Sequence, residues 1–137
     1  MRMPTTPPIV SDCVVIDANN KILMIRRGTP PFKGKLALPG GFVDVGETVE
    51  EGCRRELREE TGVEAGTLKL IGVYSDPKRD PRGHVVSIAY LTKVGDVTAN
   101  AGDDAAAIEW VSDISNLELA FDHRTIIEDA LRLLPNT

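Results

Sequence analysis

Residues 41–63 read GFVDVGETVEEGCRRELREETGV, and most of this stretch has the pattern of a helix. Thr48 and Glu51 have the spacing of a capping box, and Gly62 supplies the left-handed residue that commonly ends a helix. At about 100° per residue, three carboxylates fall within an arc of about 100°, on the same side as the small and apolar residues of the first turns. These carboxylates are Glu56, Glu59 and Glu60. The stretch therefore predicts a helix with acidic residues on its inward face.

Crowded carboxylates near a protein surface repel one another and raise one another's pKa unless a cation neutralises them. Oxygen ligands at this density suit Mg²⁺, with Mn²⁺ as a possible substitute, better than zinc. A solvated helix rich in Glu and Arg is the alternative, and it is the usual meaning of a charge run. The spacing of the surrounding residues decides between these two interpretations.

The spacing runs from Gly41, through Glu47, to residues 55–63, which read RELREETGV. It matches every fixed position of the Nudix box, so the chain resembles the Nudix hydrolases, which cleave nucleoside diphosphates linked to another group. The resemblance implies an α/β fold of the Nudix type, an α/β/α sandwich with a mixed β-sheet. It extends over nearly the whole chain, and we therefore expect a single Nudix domain over residues 1–137.

The resemblance also assigns roles to single residues. It implies that divalent ions are bound by the carbonyl of Gly40 and by the side chains of Glu56, Glu59 and Glu60. Glu47 and Arg55 are expected to hold the loop and the helix in register through a salt bridge. The general base is either Glu59 or an acidic residue of a distal loop, where Asp103 and Asp104 are the candidates.

The substrate is expected to be a small nucleotide, because the charged, proline-rich segment 74–84 resembles the corresponding loop of ADP-ribose pyrophosphatases, with Pro77 at its marker position. That activity would split ADP-ribose into AMP and ribose 5-phosphate. The candidate substrate-binding residues are Arg27, Phe32, Arg79, Arg82 and His84. Each also has a structural interpretation, since loop arginines are commonly solvated and a histidine that opens a strand is commonly hydrogen-bonded.

Two other functions remain open. The Nudix box indicates that a diphosphate is cleaved but does not specify the group attached to it. A MutT-like hydrolase of oxidised nucleoside triphosphates would therefore carry the same residues. A nucleotide-sensing module that binds without turnover is the other alternative. The intact set of glutamates argues against the sensing module, because binding alone does not require them.

Composition limits the classes of partner. The chain has 137 residues, 42% of them hydrophobic, and a net charge of −5. This acidic balance argues against general binding to nucleic acid or to a membrane surface. The first residues lack the apolar core of a signal peptide, which predicts a cytoplasmic protein. The resemblance further implies a possible homodimer.

The remaining pattern predicts the order of the elements. A β-hairpin, three further strands, a short strand before the box and a C-terminal helix are expected around the signature helix. Their expected bounds are 9–17 and 21–27 for the hairpin, 36–38 for the short strand, 67–74, 84–94 and 107–111 for the later strands, and 122–134 for the last helix, with Asp122 as its N-cap.

Overall fold

The computed structural model describes residues 2–100, 102 and 105–135. Within these ranges the chain forms seven strands and two helices. Their bounds are β1 (Ile9–Ile16), β2 (Ile22–Arg27), β3 (Leu36–Ala37), β4 (Gly40–Phe42), α1 (Val49–Thr61), β5 (Lys69–Tyr74), β6 (Val86–Lys93), β7 (Ala105–Val111) and α2 (His123–Arg132). All predicted elements are present, with ends that differ from the expected ones by at most two residues.

The strands form one mixed sheet in the order β3-β2-β1-β6-β5, while β4 pairs with β1 and β7 pairs with β2. The β1 and β6 strands run parallel, and the other pairs are antiparallel. The predicted hairpin of β1 and β2 exists, with Ile16 opposite Ile22. The two strands then part, because β4 pairs with Val10–Asp12 of β1, while β6 pairs with the opposite edge of β1 and β7 pairs with β2.

Strand β1 is buried on both faces of the sheet, and its side chains alternate between two cores. Val14 and Ile16 pack in the cluster that contains Ile126 and Ile127 of α2. Cys13 and Val15 pack in the cluster that contains Leu57 and other residues of α1. The two helices therefore cover opposite faces, which confirms the predicted α/β/α sandwich.

Helix α1 has the predicted caps. The Thr48 hydroxyl accepts a hydrogen bond from the Glu51 amide, and the Glu51 carboxylate accepts one from the Thr48 amide, both at 3.1 Å. Gly62 adopts a φ of 74° and donates its amide to the carbonyl of Arg58. These local contacts fix where the signature helix begins and ends, and so they fix the height of its carboxylates above the sheet.

Strand β4 is an element that the sequence did not predict. It consists of Gly40, Gly41 and Phe42, whose composition has the character of a loop. These residues form a strand because β1 offers a partner, with Asp12 opposite Gly40 and Val10 opposite Phe42. The pairing places the glycine segment directly against the centre of the sheet. Among the described residues, no helix is long and apolar enough to cross a bilayer.

Candidate functional site

Arg55 is the centre of the polar contacts around the signature helix. Its guanidinium donates to both carboxylate oxygens of Glu47, at 2.8 and 3.0 Å, and to the carbonyl of Phe42 at 3.0 Å. It also donates to Glu56 at 2.9 Å and to Glu59 at 3.1 Å. The structure thus shows the salt bridge between Glu47 and Arg55 that the resemblance implied, and this bridge joins the loop to the helix.

The Glu47 carboxylate is strongly stabilised in its charged form. The hydrogen bonds from Arg55 and the bond from the Asp44 amide lower the pKa of Glu47 to about 2. A carboxyl group with a lowered native pKa stabilises the fold above its ordinary pKa, and this contribution disappears as the pH falls toward the native pKa. The pH window of this loss lies between the reference pKa of 4.5 and the native pKa of about 2.

We expect Glu47→Gln to lower the free energy of unfolding at pH 7 and to do so less as the pH falls from 4.5 to about 2. The reason is that the wild-type carboxylate loses its charge in this window, whereas the amide has none to lose. Urea unfolding at several pH values measures the difference. Glu64→Gln, which removes an exposed carboxylate 3.6 Å from Arg58, is the control. A Glu47→Gln deficit that is constant over the window would contradict the prediction.

Glu56 is pressed against the glycine segment. A Cβ atom at Gly41 would lie 2.5 Å from Cδ of Glu56, so a larger residue there would displace the carboxylate. Burial raises the pKa of Glu56, Arg55 lowers it, and the nearby Glu59 and Asp44 carboxylates raise it further, which leaves it above its ordinary value. This side chain is therefore a half-buried carboxylate among other carboxylates, where a bound cation would favour the charged form.

Glu60 lies one helical turn further along and contacts the same segment. Its Oε1 atom accepts a hydrogen bond from the Gly40 amide at 2.7 Å. Glu56 and Glu60 therefore converge on adjacent glycines of β4. Only glycine fits at position 40, since a Cβ atom there would lie 2.3 Å from the carbonyl oxygen of Ser11.

The Glu59 side chain does not lie on the inward face of α1 with Glu56 and Glu60. Its side chain is 57% exposed, and its carboxylate contacts Arg55. The prediction that three carboxylates share one inward face is therefore wrong for Glu59, because Leu57 and Thr61 occupy the buried side of the last turns. Residues 56, 59 and 60 span an arc wide enough for one of them to point to solvent while the other two point to the glycines.

The donor atoms fit a hard divalent cation, although the ligand set is not assembled. Among the described residues, no three His, Cys, Asp or Glu side chains are grouped as a metal site. Glu56 and Glu60 nevertheless supply oxygen donors on either side of the glycine pair, where the absence of Cβ atoms leaves the backbone accessible. Carboxylate and carbonyl oxygens are the ligands that Mg²⁺ and Mn²⁺ prefer.

Two adjoining clefts meet at the glycine segment and share six lining residues, which are Ile25, Arg27, Gly40, Gly41, Phe42 and Glu60. The outer cleft opens toward the signature helix. Its other polar lining residues are Thr29, Asp44 and Glu56. The inner cleft extends below the segment toward α2. Its other polar and aromatic lining residues are Asp12, Arg79, Asp80, Arg82, Phe121 and His123.

The floor of the inner cleft is a buried charge network. Arg79, whose side chain is only 3% exposed, donates to both oxygens of Asp122 at 2.7 and 2.9 Å. Its guanidinium also lies 3.8 Å from Asp12, which accepts a 2.6 Å hydrogen bond from Ser87. Burial raises the pKa of Asp12, but the contacts with His123, Ser87 and Arg79 outweigh it, so the pKa is lowered. The network therefore keeps Asp12 charged.

The mouth of the inner cleft carries two cations. The Arg27 and Arg82 guanidinium groups lie 5.1 and 5.8 Å from the centre of the Phe121 ring. Burial lowers the pKa of Arg27, and the neighbouring charge of Arg82 lowers it further. Arg82 is held by the buried carboxylate of Asp80. Two like charges at one mouth are favourable for an anionic ligand.

The other predicted substrate residues lie at the margin. Phe32 is 37% exposed and packs edge-on against Phe121, with ring centres 4.9 Å apart. His84 is exposed, its Nε2 atom is 3.0 Å from the Ser75 carbonyl, and it lines neither cleft. The candidate bases Asp103 and Asp104 lie outside the described residues.

Asp12, Asp80 and Phe121 line the inner cleft but are not among the predicted site residues, and Asp122 was predicted as a helix cap. Asp122 does stand at the N-cap, but its side chain makes no capping bond and binds Arg79 instead. A signal for Asp12 was present, since an acidic residue inside the apolar run of β1 is a rare buried charge. Strand alternation places it on the α2 face, with Val14 and Ile16.

Comparison with known proteins identifies the family. Residues 6–130 match the NUDIX domain. An ADP-ribose pyrophosphatase of Methanocaldococcus jannaschii is 52% identical over 126 residues, which is 91% of this chain and 74% of that protein. The ADPR responsive transcriptional repressor NtrR of Acinetobacter baylyi is 33% identical over 85% of this chain, and the chain spans only 48% of that repressor's length.

A solved structure shows the same fold. It is the NUDIX domain of Shewanella oneidensis NrtR in complex with ADP ribose. That domain is 27% identical to this chain and has a TM-score of 0.89, with 96% of this chain and 90% of the other covered. The signature, the mixed sheet between two helices and the extent of these matches agree, and the chain therefore belongs to the Nudix family.

Proposed function

We propose that this protein hydrolyses the pyrophosphate bond of ADP-ribose to give AMP and ribose 5-phosphate. The observation that carries the proposal is the 52% identity to an archaeal ADP-ribose pyrophosphatase over 91% of the chain. The substrate loop predicted from the sequence supports it, since Arg79, Asp80 and Arg82 of that loop line the inner cleft.

The proposed reaction requires a divalent cation, because Nudix hydrolases generally depend on one. Mg²⁺, or Mn²⁺ in its place, would be held by Glu56, Glu60 and the Gly40 carbonyl, with Glu59 as a further ligand. When bound, such an ion neutralises phosphate charge and lowers the pKa of a coordinated water. Arg55 and Glu47 hold the acidic helix against the glycine segment, so their role is to position these ligands.

The protein's own cations would orient the diphosphate. Arg27 and Glu60 line both clefts, while Glu56 lines the outer cleft and Arg82 the inner one. A diphosphate that spans the two clefts would therefore meet a guanidinium on the inner side and carboxylate-bound metal on the outer side. Guanidinium groups bind phosphate oxygens in a fixed, bidentate geometry, which would restrict how the substrate enters.

The general base has the same two candidates as before. Glu59 is exposed and is paired with Arg55. Asp103 and Asp104 follow Gly102, whose amide donates to the Glu60 carbonyl at 2.8 Å. This bond ties Gly102 to the end of the signature helix, next to Asp103 in the sequence.

We expect kcat/KM for ADP-ribose to exceed that for 8-oxo-dGTP by at least about tenfold, because a polar loop matched to one substrate can supply this discrimination. The measurement is initial rates for both substrates at saturating Mg²⁺, with products separated by chromatography. NADH and diadenosine polyphosphates extend the panel. A higher kcat/KM for 8-oxo-dGTP would replace the proposed activity with the MutT-like alternative.

Binding without turnover is the second candidate, and a specific observation favours it. The chain is similar to a repressor described as ADPR responsive and to a NUDIX domain solved with ADP ribose. Calorimetry and product analysis on one sample separate the two functions. Release of AMP supports the enzyme, whereas tight ADP-ribose binding with no product at saturating Mg²⁺ supports the sensor.

The family resemblance also leads us to propose a cytoplasmic homodimer that acts on small nucleotides. Its acidic net charge of −5 supports a small-molecule substrate over nucleic acid as the partner. Light scattering of the purified protein would give its mass in solution.

A further inference from the structure

Residues 38–40, which lead from β3 into β4, are held by three hydrogen bonds to different parts of the fold. The Leu38 amide donates to Nδ1 of His123 at 2.9 Å, the Pro39 carbonyl accepts from the Cys13 amide at 2.9 Å, and the Gly40 amide donates to Glu60 at 2.7 Å. Pro39 has no amide hydrogen of its own. The imidazole of α2 therefore accepts the last amide hydrogen before the glycine pair.

His123 is almost completely buried, and its second nitrogen faces Asp12. An amide can only donate, so Nδ1 of His123 must be the acceptor and the neutral ring carries its proton on Nε2. Nε2 lies 3.6 Å from Oδ2 of Asp12. The Ser87 hydroxyl and the Arg79 guanidinium approach the same oxygen and fix the carboxylate from the other side.

Asp12 also contacts the glycine segment directly. It stands opposite Gly40 in the pairing of β1 and β4, and a Cβ atom at Gly40 would lie 2.6 Å from its Oδ1 atom. His123 and Asp12 thus support two consecutive parts of the segment, the Leu38 amide and the backbone of Gly40. Neither residue lines the outer cleft, where Glu56 lies.

We propose that His123, held by Asp12, is a positioning residue for hydrolysis that fixes the Gly40 backbone relative to Glu60. The inference rests on the proposed metal-dependent function, because Gly40 and Glu60 are the ligands that it would align. Without an acceptor at Nδ1, a buried amide hydrogen two residues before Gly40 is unpaired, and the segment can relieve this only by moving. The metal ligands would then lose their fixed separation.

The test compares two replacements of His123. In His123→Asn, the amide oxygen occupies about the place of Nδ1 and can accept the Leu38 hydrogen. In His123→Leu, no acceptor remains. We expect His123→Leu to weaken Mn²⁺ binding about tenfold or more and to lower kcat by a similar factor, within the range reported for residues that support metal ligands. KM for ADP-ribose should change less than about threefold, and His123→Asn should recover most of both losses.

Tyr74→Phe is the matched control, because the Tyr74 hydroxyl donates to Asp129 at 2.6 Å and so also ties α2 to the sheet. This variant loosens the same helix without touching the glycine segment, and it should retain wild-type Mn²⁺ affinity and kcat. Mn²⁺ binding is measured by calorimetry without nucleotide. Amide exchange of Leu38, followed by NMR, reports the proposed hydrogen bond itself and should accelerate in His123→Leu alone.

Several outcomes would overturn the inference: wild-type Mn²⁺ affinity in folded His123→Leu, equal losses in Tyr74→Phe, or no recovery in folded His123→Asn. If His123→Leu does not fold, His123→Gln replaces it. Its amide reaches about the place of Nε2 instead of Nδ1, so equal Mn²⁺ affinities of the Asn and Gln variants would then count against the inference. Absence of Mn²⁺ binding in the wild type would instead refute the proposed metal-dependent function.

Discussion

Glu60→Gln is expected to lower kcat at least about 10²-fold while the protein stays folded. The amide keeps the size of the side chain and can still accept the hydrogen bond that the Gly40 amide donates to Glu60. It lacks the negative charge that holds a divalent cation beside the glycine pair. The effect should therefore be large on turnover and small on stability, as measured by steady-state kinetics at saturating Mg²⁺ and by urea unfolding.

Glu56→Gln should give a loss of the same order. Burial and the adjacent carboxylates raise the pKa of Glu56, so its charge is costly in the absence of a cation. The neutral variant should therefore be at least as stable as the wild type without metal, although it loses the charge of the ion pair with Arg55. A kinetic loss without a loss of stability is the behaviour of a ligand and not of a structural residue.

Glu64→Gln is the control for both variants. Glu64 is an exposed carboxylate just beyond the end of α1, and its contact with Arg58 is long, at 3.6 Å. Its removal should leave kcat within about twofold of the wild type, as expected for an exposed side chain outside the clefts. Near-normal turnover of Glu56→Gln or Glu60→Gln at saturating Mg²⁺ would remove the metal site from the proposal.

The sequence predicted the fold well because its strongest signals are local. The capping box of Thr48 and Glu51, the left-handed Gly62 and the alternating apolar residues of the strands act over a few residues. Strand β4 was missed because its pairing depends on β1, some thirty positions earlier in the chain. A Gly-Gly-Phe segment has little strand propensity of its own, so tertiary contact decides its conformation.

The site was predictable only in part, for a related reason. Helical spacing placed Glu56 and Glu60 together, but it could not show that Glu59 points to solvent, because that depends on how α1 is rotated against the sheet. The links from Asp12 to His123 and from Arg79 to Asp122 join residues far apart in sequence. Each of these residues also has a common structural interpretation, and only their proximity shows that they form one cleft.

The second large effect concerns the ion pair between Arg79 and Asp122. We expect Asp122→Ala to lower the free energy of unfolding by about 3 kcal/mol, since removal of the main partner leaves a buried charge with only distant compensation from Asp12. Arg79 is 3% exposed, and its two short hydrogen bonds to Asp122 are its closest polar contacts, with Asp12 further away at 3.8 Å. Urea unfolding followed by circular dichroism, with an unchanged m-value, measures the loss.

Two further variants decide whether the buried charge causes this loss. Arg132→Ala removes an exposed ion pair on the same helix, between Arg132 and Asp129, and should cost no more than about 0.5 kcal/mol. Arg79→Met in the Asp122→Ala background replaces the unpaired guanidinium by an apolar side chain and should restore part of the stability. If Asp122→Ala costs less than about 1 kcal/mol, or if the added Arg79→Met change lowers stability further, Arg79 is adequately solvated without Asp122. The start of α2 would then not depend on this pair, and the inner cleft would be held mainly by the apolar contacts of Ile126 and Ile127 with the sheet.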